Sequence, residues 1–397
     1  FLRPRPAAMR GRGMDKDLMR RLMAPLTLLN RMLPKKQDRV VFYSNMGFRD
    51  NVKAVYDAFI ARPESKNYEI VCALNDYELW DNRPHPANVR FTDCKGGLVP
   101  FLTSRTFFYS FGKYPVKPSK NQMVVNVWHG SPLKKIGRYE KIEDQDFFTY
   151  VLAASDFFVP IMAKAFGCPE SKVKVCGHPR NDAMFTPGDP LGKLGIPKDF
   201  DKLLLWLPTF RQSSFLGDRD TAARAGTGLP VLERKEDLEA VNALLERENA
   251  LLLAKIHPAQ DLSLLDLSGA SRVKILTNDD MQRADCDLYA LLGVSDGLIT
   301  DYSSVYFDYL LLNRPIGFTV GDIEEYRKTR GFVVDDPYPL MPGPFIRTPD
   351  EFAAFLSDFL SGKDDYKAER ERVGKLTNAF PGGQDAERCL KIAGLIE

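Results

Sequence analysis

Residues 297–318 read GLITDYSSVYFDYLLLNRPIGF, and the order of apolar and polar positions in this stretch decides the fold class. A short apolar strand, Gly297–Thr300, meets Asp301–Tyr302–Ser303–Ser304. An apolar helix follows to Asn313 and stops before Pro315, which cannot continue it. Strand, polar turn and helix in this order form the repeating unit of a parallel sheet, whose ligands bind outside the carboxyl ends of the strands. Ser303 or Ser304 is the expected N-cap. The free N–H groups, the helix dipole and two hydroxyls together suit a phosphate. The plainer reading is that the serines only cap the helix. One serine would suffice for that, and a second beside the strand-end Asp301 favours the phosphate.

Working outward, the same alternation recurs on both sides. Arg39–Ser44 (RVVFYS) reads as a buried strand, Val52–Ala61 as a helix and Tyr68–Ala73 as a second strand, with Arg90–Thr92, Thr106–Tyr109 and Met123–Val127 continuing the series. A Pro/Gly-rich stretch from Phe185 to Lys202 is the candidate linker. A second series follows: strand Leu203–Leu207, helix Lys235–Glu248, strands Leu251–Ile256 and Val273–Ile275, then Gly297–Thr300. The chain closes on a helix, Asp385–Leu395. The expectation is an α/β protein of two doubly wound domains, 39–190 and 191–397, with a cleft between them. A length of 397 residues suits two cores of roughly 150–200 residues each.

Composition excludes several classes. Hydrophobic residues at 44% and charged residues at 27% rule out wholesale disorder, and a net charge of +2 rules out a generally basic nucleic-acid binder. The charge is unevenly placed. Residues 1–39 hold eleven Lys/Arg against three Asp, a net of +8, which leaves −6 for the remainder. Residues 1–13 read as a disordered leader. From Met14 to Lys36, Leu18, Met19, Leu22, Met23, Leu26, Leu29, Met32 and Leu33 recur at helical spacing among Lys and Arg, interrupted at Pro25. Such a helix either packs on its own domain or lies in an anionic membrane interface, and the clustered positive charge favours the membrane. The six cysteines lack C-x-x-C spacing and fit a reducing compartment, and no apolar run is long enough to span a bilayer. The expected location is the cytoplasmic face of a membrane, with no nucleic-acid partner.

Four further segments place chemistry at strand ends. In Val124–Gly137 (VVNVWHGSPLKKIG) a buried strand ends at Trp128–His129–Gly130. His129 is placed there as a general base, with Gly130 for the turn, Ser131 as a cap, and Lys134 and Lys135 suggesting an anionic ligand. The alternative is a structural histidine bonded to a loop carbonyl. Val175–Asp182 (VCGHPRND) offers Arg180, Asn181 and Asp182, which either line the cleft or brace the hinge. Leu203–Arg211 (LLLWLPTFR) carries Arg211 to a strand end, where a guanidinium suits a phosphate. Leu252–Pro258 (LLAKIHP) places Lys255 and His257 at another. His85 sits in a Pro-rich loop and reads as an ordinary surface residue. No acidic cluster suggests a resident metal, and a divalent cation travelling with a nucleotide stays open as a cofactor.

WHGSPLKKIG, GHPRND, LPTFR, KIHP and TDYSSVYFDYLLLNRP, in this order, resemble the CDP-glycerol glycerophosphotransferase family of teichoic acid and capsule synthesis. YSNMGFRDN at 43–51 is similar to that family's first-strand loop, and RGF at 330–332 with PGP at 342–344 to its later loop. The resemblance implies a GT-B fold of two Rossmann-like domains. It implies a CDP-linked polyol donor, usually CDP-glycerol, held mainly by the second domain, and transfer of glycerol phosphate to an acceptor hydroxyl with release of CMP. By motif position His129 corresponds to the proposed base, and His257, Ser303 and Ser304 to donor-phosphate positions. Lys255 and Arg211 fit by charge. Asp301 would repel a diphosphate and more plausibly bonds a hydroxyl or orients the turn. The chain is little more than one two-domain unit with a basic head, which favours a primase-like enzyme acting on a polyprenyl-diphosphate-linked saccharide. The alternatives are a short polymerase using CDP-glycerol or CDP-ribitol, a GT-B glycosyltransferase using a nucleotide sugar, and an inactive membrane scaffold.

Overall fold

A computed structural model describes residues 25–142, 145–208, 229, 231–256, 267 and 269–397. The expected leader, residues 14–24 of the basic segment, Arg211 and His257 lie outside the described residues. The chain forms two compact units. The first takes the described residues up to Phe48 with Lys66–Asn126 and Asp146–Thr149. The second takes Arg49–Ser65, Val127–Gln145 and Tyr150–Glu397. It is an α/β fold with two parallel sheets, and every strand expected from the sequence forms.

In the first unit β1 (Lys36–Ser44), β2 (Glu69–Leu74), β3 (Val89–Thr92), β4 (Ser104–Tyr109) and β5 (Met123–Asn126) are parallel neighbours in the order β3-β2-β1-β4-β5. Val40 to Ser44 are all buried, as a strand covered on both faces requires. Phe42 lies opposite Phe108 on β4, and their rings stack at 5.3 Å.

A helix over residues 25–32 precedes β1, and it docks through its polar side. The fully buried Asn30 donates from Nδ2 to the Lys117 carbonyl at 3.0 Å and to Gln122 Oε1 at 2.9 Å. Lys35 Nζ returns to Asn30 Oδ1 at 2.8 Å. Leu28, Leu29 and Met32 face outward, 63%, 42% and 74% exposed. This inverts the usual order of an amphipathic surface helix, whose apolar stripe faces the core. Among the described residues no helix is long and apolar enough to cross a membrane.

In the second unit β6 (Tyr150–Ala153) and β7 (Val173–Val175) pair in parallel. A six-stranded parallel sheet runs in the order β10-β9-β8-β11-β12-β13, with β8 Lys202–Trp206, β9 Ala250–Lys255, β10 Val273–Leu276, β11 Gly297–Thr300, β12 Ile316–Thr319 and β13 Phe345–Ile346. From β8 the chain moves outward to β10 and returns to the other side of β8 as β11. The carboxyl ends of β8 and β11 are therefore the point where strand order reverses, where open parallel sheets hold ligands.

One face of this sheet is covered by the helix Pro349–Ser361. Its start is a capping box: Thr348 Oγ1 accepts from the Glu351 N–H and Glu351 accepts from the Thr348 N–H, with Pro349 in the first turn. Phe352, Phe355, Leu356, Phe359 and Leu360, at helical spacing, are its buried residues, and Phe352 meets the fully buried Trp206 at 5.1 Å. Gly297 opens β11 where no side chain fits, because a Cβ there would lie 2.8 Å from Phe359 Cε2.

Leu252 in β9 is fully buried in the same cluster. Leu252→Ala should lower unfolding free energy by ~2–5 kcal/mol, the usual range for truncating a core leucine. Denaturant titration followed by tryptophan fluorescence checks it. A midpoint unchanged from wild type would contradict this account of the core.

Candidate functional site

At the carboxyl end of β11 the chain turns through Asp301, Tyr302, Ser303 and Ser304 into a helix, Val305–Tyr309, which tightens to 3₁₀ over Leu310–Leu312 and ends at Asn313 with φ 47°. The helical segment ends at Asn313 as the sequence suggests, but only its first five residues are α-helical. The serines also behave differently from the expected caps. Ser304 stands at the N-cap position with helical backbone angles (φ −60°, ψ −14°) and its side chain caps nothing. A capping side chain reaches back only from an extended backbone. The buried Asp301 holds the turn instead, its Oδ1 accepting from the Ser303 N–H at 3.0 Å. Among the described residues neither serine hydroxyl is hydrogen-bonded, and both side chains are half-buried.

His129 follows β5 in a sharp turn, with Trp128 at φ 51° and Gly130 at φ 127°. Gly130 is a close-approach position: a Cβ there would sit 2.7 Å from Arg180 Nη2 and 2.8 Å from Ser304 Oγ. The WHG turn and the paired serines, distant in sequence, are thus in contact. Burial holds the His129 imidazolium down to a pKa of about 4, and Arg180 and His178 push the same way against Asp50. The ring is neutral near pH 7, as a proton acceptor must be. Ser131, read as a cap, shares a hydrogen bond at 3.1 Å with Nε2 of the buried His178, which burial likewise holds at about 4.

The lysine pair runs beside the later loop. Lys134 bridges to Phe332, the Lys135 N–H donates to the Gly331 carbonyl at 3.1 Å, and Lys134 Nζ lies 5.6 Å from the Tyr326 ring. Tyr326 stacks at 4.4 Å on Tyr302, next to Ser303. The SPLKK, RGF and DYSS segments therefore pack as one body. Lys255, at the end of β9, donates to Asn278 Oδ1 at 2.7 Å, and burial lowers its pKa.

The GHPRND residues are engaged with protein. Arg180, whose side chain is 6% exposed, bonds Asp50 through Nη1 at 2.9 Å and Asp308 through Nη2 at 2.7 Å. Asn181 reaches Asp308 Oδ1 at 3.2 Å. Asp182 accepts from the Asp385 and Ala386 N–H groups at 2.8 and 3.0 Å, fastening the C-terminal helix Asp385–Ile392. Of the two sequence readings for this motif, these contacts are those of a brace. Asp50, Asn51, Tyr289, Asp308 and Asp385 were not singled out from the sequence. Asp308 carried a signal, because a carboxylate inside the apolar run VYFDYLLL must find a buried partner. Among the described residues no group of three or more His, Cys, Asp or Glu side chains is arranged to hold a metal ion.

With this geometry in place, comparison with known proteins is direct. The sequence profile of the CDP-glycerol:poly(glycerophosphate) glycerophosphotransferases matches residues 26–393. The chain belongs to that family. It is a transferase of the teichoic acid type. It is 26% identical to the teichoic acid ribitol-phosphate primase of Bacillus spizizenii over 93% of both chains. It is also 26% identical to the teichoic acid poly(glycerol phosphate) polymerase of the same organism, over 85% of this chain and 87% of the relative. Its fold is similar to that of the wall teichoic acid polymerase TagF, with a TM-score of 0.73 at 22% identity over 96% of this chain and 93% of that one.

The depressed His129 pKa has a testable sign. In the free protein the ring should gain its proton only below about pH 5 and stay neutral above about pH 6, because burial penalises the charged form. A bound anionic nucleotide should raise that value. Histidine NMR titration with and without CDP measures both, and a free-protein value at the ordinary 6.5 would contradict the description.

Proposed function

We propose that this transferase moves glycerol phosphate from CDP-glycerol to a hydroxyl of a polyprenyl-diphosphate-linked saccharide, releasing CMP, in a primase-like step. The observation that carries the reading is the contact between the WHG turn and the paired serines at the strand-order reversal: Gly130 lies against Ser304, beside a neutral His129. Phosphoryl transfer needs positioning and charge neutralisation more than covalent chemistry. In this reading the uncommitted hydroxyls of Ser303 and Ser304 donate to the donor diphosphate, joined by His257, Lys255 and Arg211. Asp301 shapes the turn. The acceptor oxygen attacks the β-phosphorus and its proton passes to His129. The bond from the β-phosphorus to the bridging oxygen breaks, and that oxygen leaves on CMP.

Single addition is favoured by acceptor chemistry. The product carries an anion where a neutral hydroxyl sat, and desolvating that charge without a partner is costly. Of the Lys134–Lys135 pair, Lys134 already lies over Tyr326. A second reading, a polyol-phosphate polymerase using CDP-glycerol or CDP-ribitol, draws support from the relatives: primase and polymerase names, with glycerol and ribitol, occur among chains matched over most of their length. Size therefore does not separate the two activities.

A panel of CDP-glycerol, CDP-ribitol and UDP-sugars against one lipid-linked disaccharide, read by product mass, decides between them. One glycerol-phosphate increment with CMP release is expected. A ladder would install the polymerase reading, and transfer from a UDP-sugar alone would overturn phosphotransfer. His129→Ala should lower turnover by ~10²–10⁴-fold with CDP binding retained, the usual contribution of a positioned base. Near-normal turnover would remove His129 from the mechanism.

The proposal places the enzyme on the cytoplasmic face of an anionic membrane. Supporting this, Leu28, Leu29 and Met32 point outward beside the exposed Arg31 and Lys36. Each cation near an anionic surface adds ~1 kcal/mol, screened by salt. Replacing the three apolar residues with glutamate should release the full chain from phosphatidylglycerol vesicles in co-sedimentation while leaving its thermal unfolding unchanged. Undiminished, salt-independent binding would refute the attachment.

A further inference from the structure

The turn that carries His129 is strained. Trp128 has a bulky side chain yet stands at φ 51°, and Gly130 follows at φ 127°, so His129 sits between two left-handed residues. Such a conformation persists only where its surroundings hold it. Two side chains do so through consecutive carbonyls. Asn51 Nδ2 donates to the Trp128 oxygen at 3.0 Å, and Arg180 Nη1 donates to the His129 oxygen at 3.0 Å. These two clamps are themselves joined, since Asn51 Oδ1 accepts the Arg180 backbone N–H at 3.0 Å.

Arg180 also reaches the other half of the site. Its Nη1 bonds both oxygens of Asp50, at 2.9 and 3.0 Å, and its Nη2 bonds Asp308 Oδ2 at 2.7 Å. Asp308 belongs to the helix that begins directly after Ser304. It is fully buried, and Tyr289 donates to the same oxygen at 2.8 Å while Asn181 takes the other. The guanidinium carbon stands 4.5 Å from the centre of the Tyr289 ring. Gly130 occupies the narrow space between Arg180 Nη2 and Ser304 Oγ.

We propose that Arg180 is a positioning residue for the transfer: the Asp50–Arg180–Asp308 bridge ties the His129 turn to the Ser303–Ser304 turn and sets the spacing between the base and the donor phosphates. The inference rests on the phosphotransfer reading given above. Arg180 does not touch substrate, because both terminal nitrogens are already bonded to protein. A lysine cannot substitute, since an ammonium on a flexible stem cannot hold a carboxylate and a carbonyl on one side and a second carboxylate on the other. The charged groups Asp50 and Arg180 and the titratable His178 face His129. Replacing Arg180 thus changes both the geometry and the field at the imidazole.

The test compares Arg180→Lys with wild type, alongside Asp50→Asn, which leaves the Arg180–Asp308 pair in place and keeps the measurement available if Arg180→Lys folds poorly. Turnover should fall by ~10²-fold in Arg180→Lys, the scale set by misplacing reacting groups by about an ångström. Asp50→Asn should show a smaller loss of the same kind. The KM for CDP-glycerol should change less than about threefold in both, because the diphosphate contacts lie elsewhere. A raised KM at unchanged turnover would mean that Arg180 contacts the donor. Lowered thermal stability at unchanged turnover would mean a purely structural brace. Either result overturns the proposal. Histidine NMR of the ligand-free protein, with His129 assigned through His129→Asn, should show a displaced His129 resonance in Arg180→Lys, and an unmoved one would overturn the proposal as well. If wild type releases no CMP from any CDP-polyol, the phosphotransfer reading fails, while the resonance still decides whether Arg180 positions the turn.

Discussion

Arg180 is buried with both arms of its guanidinium bound to carboxylates, and the organisation of the candidate site follows from that constraint. Removing a single member of such a buried set leaves an unpaired charge out of water, which costs about 3–5 kcal/mol. The chain has met the constraint with partners far away in sequence: Asp50 lies 130 residues earlier and Asp308 lies 128 residues later. Three segments must converge before the charge is satisfied, and these are the segments next to His129 and Ser304.

The same economy of polar groups explains the surroundings. Asp301 shapes its turn through the Ser303 N–H, and among the described residues neither serine hydroxyl is hydrogen-bonded. Asp182 and Asp385 secure the C-terminal helix to the GHPRND turn, and the Asp385 carboxylate also accepts the His178 N–H at 3.0 Å. Burial, with Asp182 adding to it, pushes the Asp385 pKa up to about 7. His178 in turn fixes Ser131, two residues after His129. The residues that look most reactive thus rest on a layer of buried polar side chains, bonded to one another through Arg180, Asn181, Asp308 and Asp385.

The first unit obeys a different logic. Its sheet is held by runs such as Val40–Ser44, buried on both faces, and by aromatic pairs such as Phe42 and Phe108. Hydrophobic patterning announces these strands directly. Four short strands are not read from the sequence. Tyr150–Ala153, Val173–Val175, Ile316–Thr319 and Phe345–Ile346 span two to four residues, where periodicity is a weak signal, and they pair with neighbouring strands that offer a ladder. The helix at 25–32 adds a detail that its pattern does not carry. Its apolar spacing leaves packing and membrane attachment open, and the structure buries one amide, Asn30, with three polar partners while Leu29 and Met32 stay exposed.

The amino-acid sequence by itself determined the alternation of strands and helices, the two sheets, the position of His129 at a strand end and the ordered motifs that mark the family. These depend on local periodicity and on residue type at each position, and both are written along the chain. Only the tertiary structure decided that Ser303 and Ser304 do not cap their helix, that the WHG turn touches the serines, and that Arg180, Asn181 and Asp182 are bonded to Asp50, Asp308 and the C-terminal helix. Each of these depends on which distant group satisfies a buried charge or an unpaired N–H. That choice is made by three-dimensional proximity, which no local pattern encodes.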